Sequence, residues 1–268
     1  MYENPEASLT PEEFIPRLET KEFGRAYHYL PEVTSTNALA RSMADKGGTA
    51  GTLVVAETQT GGRGRLGRNW VSPPGGIWLS LVLRPPLAPS RAPLQTLLAA
   101  VALREALLKG AGLACSLKWP NDVLCGGKKV AGILTEMKSA GENLEYLVAG
   151  VGVNANFPGN LLPKPLREKA GTLLDLLGRP VDRPGLLADF LEIWEGYYTR
   201  ALQRGYDQVL EAWRQGSGTL GKKIRIHTTR GPVTGRALDI HAEGGLIVET
   251  GPGILETFLA GEVTILEK

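Results

Sequence analysis

Apolar positions along the chain follow two rhythms. Residues 52–57, 77–83 and 144–153 are near-continuous apolar runs of strand length, bounded by glycine, proline or polar clusters. That is the pattern of strands buried on both faces. Residues 27–31 predict a strand ahead of them. Residues 94–108 are too long for a strand and apolar on most sides, which predicts a helix inside the core. Further helices are predicted over 11–18, 186–202 and 206–213, with a short one over 172–177. The stretch from 155 to about 182 carries Pro158, Pro163 and Pro165 and reads as irregular. After Gln215-Gly216-Ser217-Gly218 the rhythm changes. Residues 223–228, 233–240, 246–249, 255–259 and 263–266 are short β-rich runs separated by turns. Five strands in so short a stretch predict a small β-barrel. The expected organisation is a leader over 1–24, a mixed α/β domain over 25–216 and a small β domain over 219–268.

Two local patterns interrupt this rhythm. Ser35, Thr36 and Asn37 precede the apolar run 38–44, which ends at Gly47-Gly48. They are helix-capping residues, and a helix start with three small polar side chains is also a site for a polar ligand group. Gly126-Gly127 separates residues 123–125 from 128–134 and predicts a hairpin with a two-residue turn. Within the second strand, Gly132 marks a bulge or a close approach by another group.

Composition changes this picture little. The 268 residues, 43% hydrophobic and 22% charged, are those of a globular protein. The net charge of +2 excludes a general cation that coats nucleic acid or membranes. Cationic function must be local. Cys115 and Cys125 are expected to be buried free thiols. His28, His227 and His241 show no metal-ligand spacing. Residues 1–20 lack a signal-peptide core, and no run reaches membrane-spanning length, so the expected compartment is the cytoplasm.

The candidate chemistry is concentrated in Gly61–Trp70, which holds four glycines and three arginines in residues 61–69. Glycine admits close backbone approach, and arginine offers a planar fork for carboxylate and phosphate oxygens. The stretch reads as a loop that closes over an anionic small molecule and is mobile without it. A plain surface loop and a Gly/Arg nucleic-acid patch are the competing readings. A dinucleotide fingerprint is not, because Pro73 and Pro74 follow where a helix must start. Lys118-Trp119-Pro120-Asn121-Asp122 reads either as a turn or as a cation and a carboxylate facing a phosphate and its magnesium. Lys128 and Lys129 beside the hairpin turn read as a solvated pair, with Lys129 the more interesting because apolar or small residues follow it.

Taken together, Gly-Arg-Gly-Arg-Leu-Gly-Arg-Asn-Trp (62–70), Lys-Trp-Pro-Asn-Asp (118–122), Lys-Val-Ala-Gly-Ile-Leu (129–134) and Gly-Val-Asn (152–154) resemble the biotin protein ligases. The resemblance spans about residues 25–268. It implies an α+β fold, a mixed β-sheet flanked by helices followed by an SH3-like β-barrel. It also implies an activity: biotin and ATP, with Mg2+, give biotinyl-5′-AMP, and the biotin passes to a lysine of a biotin carboxyl carrier domain of acetyl-CoA or pyruvate carboxylase.

On this resemblance the catalytic residues are Arg65, Lys129 and Lys118. Biotin is held by Ser35, Thr36, Asn37, Gln59, Arg63, Gly64, Arg65, Lys129 and Gly132. ATP is held by Arg65, Arg68, Trp70, Lys118, Asn121 and Asn154, and the metal by Asp122. The resemblance also allows a homodimer. Some relatives carry a winged-helix DNA-binding domain ahead of the catalytic one. The residues before position 25 are too few for it, so specific DNA binding is not expected. A lipoate ligase, which shares the chemistry, and an RNA-binding module remain the rival classes.

Overall fold

The computed structural model describes residues 8–229 and 231–266. Six helices and twelve strands follow one another as α1 (Pro11–Phe14), β1 (Tyr27–Val33), α2 (Thr36–Asp45), β2 (Leu53–Gln59), β3 (Ile77–Leu83), α3 (Pro93–Ala111), β4 (Ser116–Lys118), β5 (Asp122–Cys125), β6 (Lys128–Ala140), β7 (Asn143–Val153), α4 (Leu173–Leu177), α5 (Arg183–Arg204), α6 (Asp207–Gly216), β8 (Lys223–Thr228), β9 (Gly231–Ile240), β10 (Leu246–Gly251), β11 (Ile254–Phe258) and β12 (Glu262–Ile265) among the described residues. Short 3-10 turns punctuate the loops.

The first seven strands form one sheet in the order β1-β2-β3-β7-β6-β5-β4. β1 and β2 are parallel, joined through α2, and every other pairing is antiparallel. One sheet face carries the main core. There α3 is wedged between sheet and α5, so Leu94, Leu98, Val101, Ala102 and Leu107 are buried on all sides of it. That explains a helix with no polar stripe. Gly112, in the left-handed region at φ 66°, ends it. On the opposite face α2 covers a smaller cluster of Ala40, Ala44, Val54, Val82, Tyr146 and Val148.

The last five strands form a second, antiparallel sheet in the order β11-β10-β9-β8-β12. No ladder among the described residues pairs β11 with β12, so backbone hydrogen bonds do not close it into a full barrel. Ile224, Ile226, Ala237, Leu246 and Val263 turn inward and join the main core. Trp119 is the plug between the two sheets. It is buried, its indole donates to Gly244 O at 3.1 Å, and its backbone N–H donates to Thr219 Oγ1 at 3.0 Å. The Trp119–Pro120 peptide is cis.

Two expectations from the sequence are corrected. Cys115 and Cys125 are not free thiols but a disulfide, with Cα atoms 4.6 Å apart. The cause is register. Ser116 faces Leu124 across the β4–β5 ladder, which leaves the two cysteines facing each other one step further out. Residues 8–24 are no loose leader either. Leu9, Phe14 and Phe23 are fully buried in the main core. Glu195 on α5 accepts the backbone N–H groups of Lys21, Glu22 and Phe23 at 2.7, 2.7 and 2.8 Å. The acidic surroundings of these apolar residues concealed them.

Candidate active site

Strand register builds a trench on the α2 side of the sheet. Opposed residues on neighbouring strands share a face. Trp78, Gly152 and Gly132 line up in one row, and Ser80, Gly150 and Leu134 in the next. At one side the cluster beneath α2 rises; at the other Trp78 packs with Phe157 and Leu162. Between them three glycines leave the sheet without side chains. The gap is used. A Cβ on Gly150 would collide with Asn37 Oδ1, one on Gly152 would sit 2.5 Å from Trp70 Nε1, and one on Gly132 would sit 3.0 Å from both the Trp70 ring and the Lys129 side chain. Gly132 therefore marks the close approach its place in a strand predicts.

The α2 end of the trench is a polar network. Ser35 caps α2, its Oγ accepting from Ala38 N at 3.4 Å. Gln59 Oε1 accepts from the Thr36 backbone N–H at 2.9 Å and lies 3.1 Å from Thr36 Oγ1. Gln59 Nε2 donates to Ser72 Oγ at 2.9 Å. Asn37 donates to Glu136 Oε2 at 2.8 Å and to Leu134 O at 3.3 Å. Ser80 Oγ reaches both Asn37 Oδ1 at 2.6 Å and Thr36 Oγ1 at 2.8 Å. The four residues expected here, Ser35, Thr36, Asn37 and Gln59, thus come together. Ser72, Ser80 and Glu136 join them and were missed. Ser80 carried a signal, being a hydroxyl inside an otherwise apolar buried strand.

The opposite end is ionic. Lys129 Nζ lies 2.5 Å from Asp122 Oδ1, and Lys118 Nζ lies 3.7 Å from Asp122 Oδ2. Lys129 Nζ also stands 5.0 Å from the centroid of the Trp70 ring, a cation–π contact. The Trp70 indole N–H is buried without a hydrogen-bond partner. Asp122 serves two cations at once. Among the described residues no three His, Cys, Asp or Glu side chains form a metal cluster. A single carboxylate matches the way Mg2+ is held when phosphates supply most of its other ligands.

The Gly/Arg loop closes over this end in a definite conformation. Gly64 N donates to Arg68 O at 2.7 Å, and Trp70 N to Gly62 O at 2.9 Å. Arg65 donates to Asn121 Oδ1 at 3.1 Å and to Gly261 O at 3.0 Å. Its burial holds its pKa below the usual guanidinium value, although the group keeps its charge. Arg68 grips Glu262 with both nitrogens, the Nη1–Oε1 bond being 2.6 Å. This pairing raises the Arg68 pKa and holds the Glu262 carboxyl below its ordinary range. The expectation of a loop mobile without ligand rests on its glycines, its like charges and its lack of apolar anchors. The anchors it does have are polar: Asn121 and, about 195 residues away in sequence, Gly261 and Glu262. Leu66, at φ 57° and 74% exposed, forms the tip. Because the Arg68–Glu262 pair is largely exposed, it is worth roughly 0.2–1 kcal/mol. Glu262→Ala is therefore expected to speed tryptic cutting at Arg63, Arg65 or Arg68 about two- to fivefold. Unchanged cutting would show that this pair does not hold the loop.

Two expected residues stand apart. Arg63 is exposed. Asn154 is buried and donates to Gly171 O at 3.0 Å, which ties the end of β7 to the segment before α4. A groove of about 450 Å³ between β6, the start of α3 and the C-terminal sheet adjoins the site and includes Arg65, Leu66 and Asn121 in its wall.

A trench with a hydrogen-bonding end, a cationic end and an arginine loop above it defines a site for a small molecule joined to a phosphate. Comparison with known proteins agrees. Residues 29–154 match the Biotin/lipoate A/B protein ligase family, and residues 219–266 match the Biotin protein ligase C terminal domain. The Bacillus subtilis bifunctional ligase/repressor BirA is 37% identical over 244 residues, covering 91% of this chain and 75% of that protein. The Paracoccus denitrificans biotin–[acetyl-CoA-carboxylase] ligase is 34% identical, covering 87% of this chain and 98% of that protein. The Aquifex aeolicus biotin protein ligase, solved in complex with biotin and ATP, superposes with a TM-score of 0.76 at 28% identity, covering 90% of this chain and 98% of that chain. The chain belongs to the biotin protein ligase family.

Proposed function

We propose that this chain is an ATP-dependent biotin–[biotin carboxyl carrier protein] ligase. A biotin carboxylate oxygen attacks the α-phosphorus of ATP, the bond to the β-phosphate oxygen breaks, and pyrophosphate leaves. The ε-amine of a carrier lysine then attacks the acyl carbon of biotinyl-5′-AMP. An amide forms, AMP departs with the bonding electrons, and the amine loses a proton to solvent.

The observation that best supports this reading is the convergence of Thr36–Gln59, Trp70 and Lys129 on one glycine-floored trench, with Arg65 of the covering loop held beside it at Asn121. An anionic carboxylate approaching an anionic phosphate needs cations between them. Lys129, held by Asp122 at the trench edge, and Arg65, brought in by the loop, supply two. Lys118 and Asn121 border the same end, Asp122 would hold Mg2+ that arrives on the ATP phosphates, and Arg68 fixes the loop above them. The flat face of Trp70 covers the trench floor and offers a surface for an adenine or for the ligand's apolar part. The match over 219–266 favours biotin over lipoate, because it is a biotin-ligase domain.

The remaining sequence expectations go with this reading: Arg63 and Gly64 near biotin, Asn154 near the nucleotide, the 25–216 and 219–268 domain limits, a possible homodimer and a cytoplasmic reaction. Specific DNA binding is no part of it, given the net charge of +2. No helix among the described residues is long and apolar enough to cross a membrane. Incorporation of labelled pyrophosphate into ATP that requires biotin tests the reading. Exchange with lipoate and none with biotin would transfer the chain to the rival ligase class.

A further inference from the structure

Hydrogen accounting in the network at the α2 end leaves little freedom. The Glu136 carboxylate and Leu134 O can only accept, so the Asn37 amide nitrogen must face them, at 2.8 and 3.3 Å. Asn37 Oδ1 therefore faces Ser80 Oγ, 2.6 Å away, and the single Ser80 hydroxyl hydrogen must lie between them. That hydrogen is committed to Asn37, and Thr36 Oγ1, 2.8 Å from Ser80 Oγ, faces Ser80 only as an acceptor. The Thr36 hydroxyl hydrogen goes to Gln59 Oε1 at 3.1 Å, which accepts the Thr36 backbone N–H as well at 2.9 Å. Thr36 Oγ1 is left with lone pairs and nothing to give. Gln59 Nε2 donates one hydrogen to Ser72 and keeps one. The network thus ends in one free acceptor and one free donor. A cyclic urea offers the complementary pair, an N–H and a carbonyl.

We propose that Glu136 is a positioning residue that sets this donor–acceptor polarity, acting through Asn37, Ser80 and Thr36 without touching the ligand. The proposal rests on the biotin-ligase reading of the trench. Glu136 lies on β6, and its register partner on β7 is Val148, beyond the glycine rows. Its second oxygen is held by Arg41 of α2 at 3.1 Å, which fixes the carboxylate from the solvent side. Gly150 is part of the same device. Asn37 Oδ1 occupies the place a Cβ there would take, so the amide is confined by packing as well as by its bonds. Such a relay affects binding of the head group and leaves the phosphate end alone.

The test is steady-state biotin-dependent pyrophosphate exchange by wild type, Glu136→Ala, Glu136→Gln and Ser80→Ala, with melting temperatures measured alongside. Glu136→Ala should raise KM for biotin about tenfold while KM for ATP and kcat stay within twofold. Glu136→Gln keeps an oxygen for the Asn37 amide and should stay within about threefold of wild type. Ser80→Ala cuts the relay further along. It should raise KM for biotin similarly, and the double variant should fall well short of the product of the two single effects, because both break one chain. Unchanged KM for biotin in Glu136→Ala would overturn the proposal. So would a parallel loss in both substrates and kcat, or a Gln variant as poor as Ala. If Glu136→Ala fails to fold, Ser80→Ala and Glu136→Gln decide by the same criteria. A wild-type protein with no biotin-dependent exchange would instead remove the ligase reading and leave the hydrogen accounting untouched.

Discussion

Lys129→Ala is expected to slow biotin-dependent pyrophosphate exchange by about 10²–10³-fold, the scale of losing one preorganised charge-stabilising group. The position of Lys129 is why the effect should be large and specific. Its Nζ lies 2.5 Å from Asp122 and 5.0 Å from the Trp70 ring centroid, at the ionic end of the trench. On the proposed reading, a cation there would meet both the attacking carboxylate and the α-phosphate. Stability should change little. Asp122 keeps Lys118 as a neighbour at 3.7 Å, so the substitution leaves no isolated buried carboxylate. A partly exposed lysine with a merely structural role is worth only a few tenths of a kcal/mol. Comparing exchange rate with melting temperature separates the two. A folded Lys129→Ala protein with wild-type exchange would leave Lys129 as a partner of Asp122 and nothing more.

The second large effect is a loss of containment. Arg65→Gly should let biotinyl-5′-AMP escape about ten- to a hundredfold faster than from wild type, the equivalent of a charge-assisted hydrogen bond worth roughly 1.5–3 kcal/mol. Arg65 ties the loop to Asn121 in the 118–122 turn and to Gly261 just before β12, so its loss frees the loop at two points. Glycine also adds chain entropy to a segment that already has four glycines. The escaped anhydride acylates any accessible amine. With biotin, ATP and a bystander protein lacking a carrier domain, the variant should therefore label bystander lysines more than wild type does. A variant that adenylates biotin yet labels the bystander no more than wild type would show that Arg65 is not the latch.

How far the sequence discloses this molecule depends on how local the deciding physics is. β3 is legible to the residue because both its faces are buried and its seven residues are almost all apolar. The five C-terminal strands are legible from their turns. β6 is not: the apolar pattern ends at Leu134, yet the strand runs to Ala140. Its last residues pair with β7 alone at the sheet edge, where burial no longer dictates alternation. The candidate site divides in the same way. Residues whose chemistry is written in a compact motif, such as Lys129 and Arg65, stand out as candidates. Those that matter through a distant partner do not. Glu262 looks like one more surface acid until the fold sets it against Arg68, and Glu136 like one more strand-end charge until α2 crosses above it. The cysteines belong here too, since only the register of a three-residue ladder makes them partners.

The burial of residues 8–24 bears on how the protein behaves when it is made and handled. The recognisable ligase motifs begin at Ser35, and the family match begins at residue 29. The cooperative folding unit begins earlier. A chain trimmed to the motif boundary would leave the sockets of Leu9, Phe14 and Phe23 open to water, each worth roughly 1.5–3 kcal/mol of transfer free energy. Three such losses rival the whole stability margin of an ordinary domain, about 5–15 kcal/mol. The three backbone N–H groups gathered by Glu195 would vanish with them and strand a carboxylate on α5. A recombinant fragment chosen by homology would hold every candidate catalytic residue and still tend to aggregate.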